Sequence, residues 1–152
     1  MAPSSCTLFS LILLVANFYH PVLSWQPQVV EKPRVRFCFK FTVHVINGLS
    51  TNQHPLFLHC QSRDDDLGGH TLYKGGDFKF RFGVKFIGPK TWFTCDMTWG
   101  SKHQHVDVFR QKIEGSMCCN DGGNICYWRA QDDGIYFSVD NEMWLLRYDW
   151  LQ

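Results

Sequence analysis

Asp77-Phe78-Lys79-Phe80-Arg81-Phe82-Gly83 is the stretch that decides the fold. Three phenylalanines alternate with two cations, so on an extended backbone they fall on opposite sides. One side is apolar enough to bury, and the other is charged enough to face water. The same period of two recurs in both directions along the chain. Upstream, Phe41, Val43 and Val45 alternate with Thr42 and His44, while Leu56, Leu58 and Cys60 share a face opposite Phe57 and His59. Downstream, Phe93, Cys95, Met97 and Trp99 form one strand face. Cys126, Trp128 and Ala130 form a second, and Ile135, Phe137 and Val139 a third. His103 to Arg110 also alternates, but its two sets, His105-Asp107-Phe109 and Val106-Val108, leave the buried face open. In Met143 to Trp150 the expected core face is Trp144, Leu146, Tyr148 and Trp150.

Turn signals separate these segments: Asn47-Gly48, Gly75-Gly76, Asp133-Gly134 and Asp140-Asn141. Gln61 to Gly69 reads as a polar loop and Gln111 to Asn124 as a long connection. No sustained helical period follows Trp25, and 13 Phe with 6 Trp favour strands. The expected fold is all-β, a disulfide-stabilised β-sandwich of two antiparallel sheets with about seven to eight strands.

The amino terminus reads as a targeting segment. Leu8 to Ala16 is almost wholly apolar, and Val22-Leu23-Ser24 suits a signal peptidase, so residues 1–24 are expected to be a secretory signal peptide. The apolar run is shorter than the about 20 residues a membrane helix needs. Residues 25–40, with Pro27 and Pro33, form an expected N-terminal arm, and 41–152 the domain. The roughly 128 residues after position 24 suit one domain.

Fifteen basic and 14 acidic residues, all after Val30, give a net charge of +1. Without a basic block, nucleic acid is a poor partner. Without a polybasic amphipathic helix or a spanning segment, no membrane insertion is expected. Cys6 belongs to the leader. The remaining Cys38, Cys60, Cys95, Cys118, Cys119 and Cys126 are even in number, which in an exported chain reads as a disulfide framework with about fifteen pairings open. Adjacent Cys118 and Cys119 need separate partners, and Cys38 is placed to staple the arm to the body. The spacings do not make the paired hooks of a structural zinc site.

The ordered motifs resemble a known family. They run from Val43-His44-Val45-Ile46-Asn47-Gly48-Leu49 through His59-Cys60-Gln61-Ser62-Arg63-Asp64-Asp65-Asp66-Leu67-Gly68-Gly69-His70. Trp92-Phe93-Thr94-Cys95, Trp99, Cys126-Tyr127-Trp128, Asp133-Gly134-Ile135-Tyr136, Trp144 and Trp150 follow. Over roughly 110 residues the chain resembles the plant self-incompatibility proteins of the S1 type, the S-protein homologues. That resemblance implies a small secreted plant protein with a β-sandwich core and two disulfides, using Cys60, Cys95, Cys126 and one of Cys118 or Cys119. It also implies signalling: the best characterised members bind a pollen membrane receptor and arrest growth. Cys38 and the doubled cysteine depart from the pattern. A third bridge, from Cys38 to the extra member of the doublet, is the expectation.

Arg63, Asp64, Asp65, Asp66 and His70 form the candidate recognition loop. Three adjacent carboxylates repel, so they belong in water or beside cations. Recognition residues concentrate on loops held by a scaffold. Asp side chains also order turns by accepting from backbone amides. Calcium would suit the oxygens, but the EF-hand order is absent. The loops around Asn47 to Pro55, Arg63 to His70 and Ile87 to Thr91 are the expected contact loops. Trp92 and Tyr127 fall opposite their cysteine neighbours.

No nucleophile elbow, His-Glu-x-x-His pair or phosphate loop is present, so no enzyme, catalytic residue or cofactor is expected. His103 and His105 lack an evident third ligand, so no metal is expected. Only the rare Asn124-Ile125-Cys126 form of the glycosylation signal occurs, and no N-glycan is expected. The expected function is a secreted plant recognition protein that binds a cell-surface receptor protein, with pollen rejection as the role the resemblance offers. The alternative is an extracellular glycan- or effector-binding module in defence.

Overall fold

The computed structural model describes residues 36–152. The expected signal peptide, and the expected arm up to residue 35, lie outside the described residues. The elements in chain order are β1 (Lys40–Asn47), β2 (Leu56–Ser62), β3 (Asp66–Leu72), β4 (Asp77–Gly83), β5 (Trp92–Trp99) and β6 (Lys102–Arg110). Then come the single-turn helix α1 (Glu114–Cys118), β7 (Ile125–Gln131), β8 (Gly134–Ser138) and β9 (Leu145–Tyr148). They build a five-stranded sheet in the order β4-β1-β7-β8-β9 and a four-stranded sheet in the order β3-β2-β5-β6. The two sheets face each other as a β-sandwich.

Alternation decides what is inside. Phe41, Val43 and Val45 of β1, Leu56 and Leu58 of β2, and Trp128 of β7 are buried, and each fully buried aliphatic of this size stabilises by roughly 1.5–3 kcal/mol. Phe78, Phe80 and Phe82 line the inner side of edge strand β4, half-buried against that core. Phe82 meets Phe93 at 4.5 Å and Phe109 at 4.6 Å between ring centroids, so aromatics bridge the layers. Trp128 Nε1 donates to the Val108 carbonyl at 2.9 Å, which satisfies the indole across the sandwich.

One strand pair departs from the antiparallel expectation: β1 and β7 run parallel. The chain leaves the first sheet after β1, returns for β4, and crosses to the second sheet for β5 and β6 before entering the first again at β7, so no hairpin joins β1 to β7 or dictates their direction. The polar loop expected over Gln61 to Gly69 is instead a tight hairpin. β2 continues to Ser62, β3 begins at Asp66, and only 63–65 turn the chain. Net polarity hid a strand whose sides are both half-exposed. Strand β6 takes Val106 and Val108 inward, and Phe109 as well, because a register shift opposite Phe93 and Thr94 lets consecutive residues point in. The expected core face of the last strand holds only in part. Tyr148 and Trp150 pack on the core, but Leu146 is 44% exposed and Trp144 lies under the Arg129 guanidinium at 4.0 Å. A second register shift, between Ile135 and Tyr136, resets the alternation there.

Both open sides of the sandwich are covered. Between β3 and β4 the His70 ring stacks on Phe78 at 3.8 Å. Between β6 and β9 the seam is polar: Gln104 Nε2 donates to the Asp149 carbonyl at 2.6 Å, and the Asp107 amide donates to the Tyr148 hydroxyl at 3.2 Å. Fully buried Glu114, at the start of α1, accepts from the Arg110 amide at 2.9 Å and from Arg110 Nη2 at 2.6 Å, with Arg147 Nη2 3.6 Å away. Three disulfides complete the frame. Cys60–Cys95 joins directly opposed residues of β2 and β5, Cys118–Cys126 ties α1 to β7, and Cys38–Cys119 ties the segment before β1 to the residue after α1.

Candidate functional site

The β2–β3 turn is held by short local bonds. Ser62 Oγ accepts from the amides of Asp64 and Asp65, at 3.2 and 3.0 Å, and the Ser62 amide donates to the Asp65 carbonyl at 2.7 Å. This arrangement leaves Arg63, Asp64 and Asp65 exposed at the tip. Asp64 accepts from Arg63 Nε at 3.1 Å and Nη2 at 3.3 Å, and Lys85 Nζ closes on its other side. The Arg63 guanidinium, and then Lys85, hold the Asp64 carboxyl down at about 2. Asp64 in turn pushes the Arg63 guanidinium above its ordinary value. The turn is thus an ordered cation–anion–cation row.

Lys85 comes from the β4–β5 connection, so this row ties the β2–β3 turn to the crossover between the two sheets. Between them runs a groove of about 400 Å³. Phe82 and Phe93 form its apolar floor, and Arg63, Asp65, Lys85 and Lys90 stand on its rim. Trp92 belongs to the same groove with 55% of its surface exposed, and its Nε1 is fixed by Asp107 Oδ1 at 2.8 Å. Aromatic rings held at a fixed angle beside charged groups suit binding at low entropic cost.

The five residues of the candidate loop are not all placed in one turn. Arg63, Asp64 and Asp65 share the tip, whereas Asp66 and His70 are strand residues of β3. Asp66 Oδ1 accepts from His59 Nε2 at 2.6 Å and from the Gly68 amide at 2.8 Å, and these bonds lower its pKa. His70 donates through Nε2 to the Leu67 carbonyl at 2.9 Å and covers Phe78. The expected contact loops are also divided. Arg63 to Asp65 and Ile87 to Thr91 flank one end, whereas Asn47 to Pro55 lies at the other. There Lys74 Nζ donates to the Ser50 carbonyl at 2.7 Å, and a shallower groove of about 320 Å³ includes Asn47, Gly75 and Arg129. Sequence reading missed Lys85 as a site residue, since an isolated lysine carries no spacing signal, whereas Lys90 lies within the expected Ile87 to Thr91 loop. Among the described residues no group of three His, Cys, Asp or Glu is arranged to hold a metal ion. His105 pairs with Asp96 at 2.6 Å instead.

Fold and site together define a small cystine-stapled β-sandwich whose polar clusters are salt bridges and turn caps. Residues 42–150 match the family model described as "Plant self-incompatibility protein S1". The chain belongs to that family. It is 38% identical over 103 residues to S-protein homolog 24 of Arabidopsis thaliana, covering 66% of this chain and 65% of that one. It therefore spans just under two thirds of that relative's length. S-protein homolog 11 of the same plant is 38% identical over 120 residues, covering 76% of this chain and 80% of the relative. A solved structure of an SPH (self-incompatibility protein homologue), described as one of a widespread family of small, highly stable, secreted plant proteins, shares the fold. Its TM-score is 0.55 at 18% identity, covering 76% of this chain and 97% of the other.

Proposed function

We propose that this protein is an extracellular ligand that binds a cell-surface receptor protein through the end of the sandwich carrying the β2–β3 turn. The observation that carries this reading is the Arg63–Asp64–Lys85 row set beside a groove with a fixed, exposed Trp92. Groups that are rigid before contact lose little entropy on binding, and the charged row supplies register and steering. Family membership supports a signalling role. Pollen rejection is the finer form of it, and the preference of the protein among cell types decides that form.

The test is to titrate labelled, exported, oxidised protein onto intact pollen and vegetative cells. Saturable binding that protease treatment of the cells abolishes is the expected result. Absence of saturable binding to every cell type would sink the receptor reading. The second reading, a glycan partner, is favoured by the exposed indole at the groove. It predicts binding that survives protease treatment and is competed by soluble oligosaccharide.

A further inference from the structure

The same end of the molecule carries an apolar prominence that neither the turn nor the groove uses. Ile87, in the β4–β5 connection, is 94% exposed. Phe86 is 51% exposed, and its ring lies 5.0 Å from that of Phe39, itself 58% exposed. Phe37, two residues earlier on the same extended segment, is 71% exposed. Scattered exposed apolar residues need no explanation, but a contiguous cluster of large ones marks a contact surface. Its local frame is fixed. The Val84 amide donates to the Phe39 carbonyl at 3.0 Å, and Cys38 is bridged to Cys119.

Cations surround the prominence. Lys40 and Arg81 lie on neighbouring strands of the outer sheet face, with Lys79 further along β4, and Lys90 closes the other side with Nζ on the Phe86 carbonyl at 3.1 Å. Among the described residues these four have no carboxylate partner; of the nearby acids, Asp64 and Asp121 are paired with Lys85 and Arg36, and Asp65 alone stands exposed without a cation, on the groove rim.

We propose that Phe37, Phe39, Phe86 and Ile87 dip into the headgroup region of an anionic phospholipid bilayer while Lys40, Lys79, Arg81 and Lys90 engage the lipid phosphates. Charge selects an anionic bilayer: large exposed apolar side chains with cations that lack carboxylate partners match an interface whose apolar layer underlies a negatively charged one. Binding of this kind is interfacial and crosses nothing. The expectation of no membrane insertion rested on helices and spanning segments, which carry no information about a surface assembled from residues 37–39 and 86–87.

The test is sedimentation of the oxidised, exported protein with protein-free vesicles, so it reads out independently of any receptor. Vesicles of phosphatidylcholine mixed with phosphatidylserine should bring the protein down, and phosphatidylcholine alone should retain at least about ten-fold less. Ile87→Asp should abolish most of that binding, and Lys40→Glu with Lys90→Glu should weaken it about ten-fold or more and remove its salt dependence. Unchanged circular dichroism and thermal midpoints certify that the variants fold. Absence of binding to anionic vesicles, or binding indifferent to Ile87→Asp in the folded variant, would overturn the proposal. So would sedimentation equilibrium showing a dimer that Ile87→Asp dissociates, because the face would then belong to a second copy.

Discussion

Glu114 has no access to water, and the groups around its carboxylate are the guanidiniums of Arg110 and Arg147 and the Arg110 amide. Replacing it by Gln keeps the shape and removes the charge. Glu114→Gln should destabilise the fold by roughly 2–3 kcal/mol, less than a wholly buried orphan charge because both guanidiniums still touch water. Urea unfolding checks this, and a loss below about 0.5 kcal/mol would show that the seam does not depend on the charge. Asp64 behaves differently because it stands in solvent. Its carboxyl is depressed from 3.8 to about 2 by Arg63 first and Lys85 second. A depressed carboxyl contributes order that is fully present above its unfolded value and is lost as pH falls through its folded one. The turn should therefore keep its structure from neutral pH down to about 4 and open towards pH 2, with Asp64 and Asp65 amide resonances reporting it. Opening centred above pH 4 would contradict the pairing. Of these two residues, only Asp64 was legible in the sequence. Three consecutive carboxylates must seek water or cations wherever they lie. A lone glutamate in an irregular connection carries no pattern, and only the fold brings two arginines to it.

Strands were legible wherever one face is buried, because alternation then follows from the pleat. The Phe78-Phe80-Phe82 and Val43-Val45 faces stand where that rule puts them. It failed at β3, an edge strand with two adjacent glycines and only two leucines, and wherever a bulge resets the period. The shift at Ile135/Tyr136 turned Leu146 outward while Tyr148 stayed in. The Asp133-Gly134 signal marked a real hairpin, but the turn is made by Asp132 and Asp133, and Gly134 opens β8. Glycine is needed there for space: a Cβ would sit 2.5 Å from Leu146 Cδ1 and 2.8 Å from the Tyr148 carbonyl oxygen. The side chain can move aside, but the backbone oxygen moves only with β9. Gly134→Ala should thus cost roughly 1–3 kcal/mol and loosen β9 first, seen as faster amide exchange in Leu145 to Tyr148. Exchange unchanged in β9 would contradict that account.

At the scale of the whole molecule, cross-links and covered edges do what a small core does not do alone. The Cys38–Cys119 bridge closes a separation of 81 residues. Replacing both cysteines by serine should lower stability by about 2–4 kcal/mol, measured by urea unfolding. A loss near zero would mean that the segment before β1 is held without the bridge. The two-layer architecture was legible in the sequence because inward-facing strand sides have to meet something apolar. The clustering of contact loops was not, since which loops share an end follows from strand order. That separation of ends makes the central claim directly testable. Saturable cell binding should be compared for Asp64→Ala with Trp92→Ala at the groove end and for Asn52→Ala with Lys74→Ala at the opposite end, each verified as folded. The groove-end pair should weaken binding by about ten-fold or more, and the opposite pair should leave it within about two-fold. Equal losses, or a loss confined to the Asn52 and Lys74 pair, would contradict recognition through the Arg63–Asp64–Lys85 end.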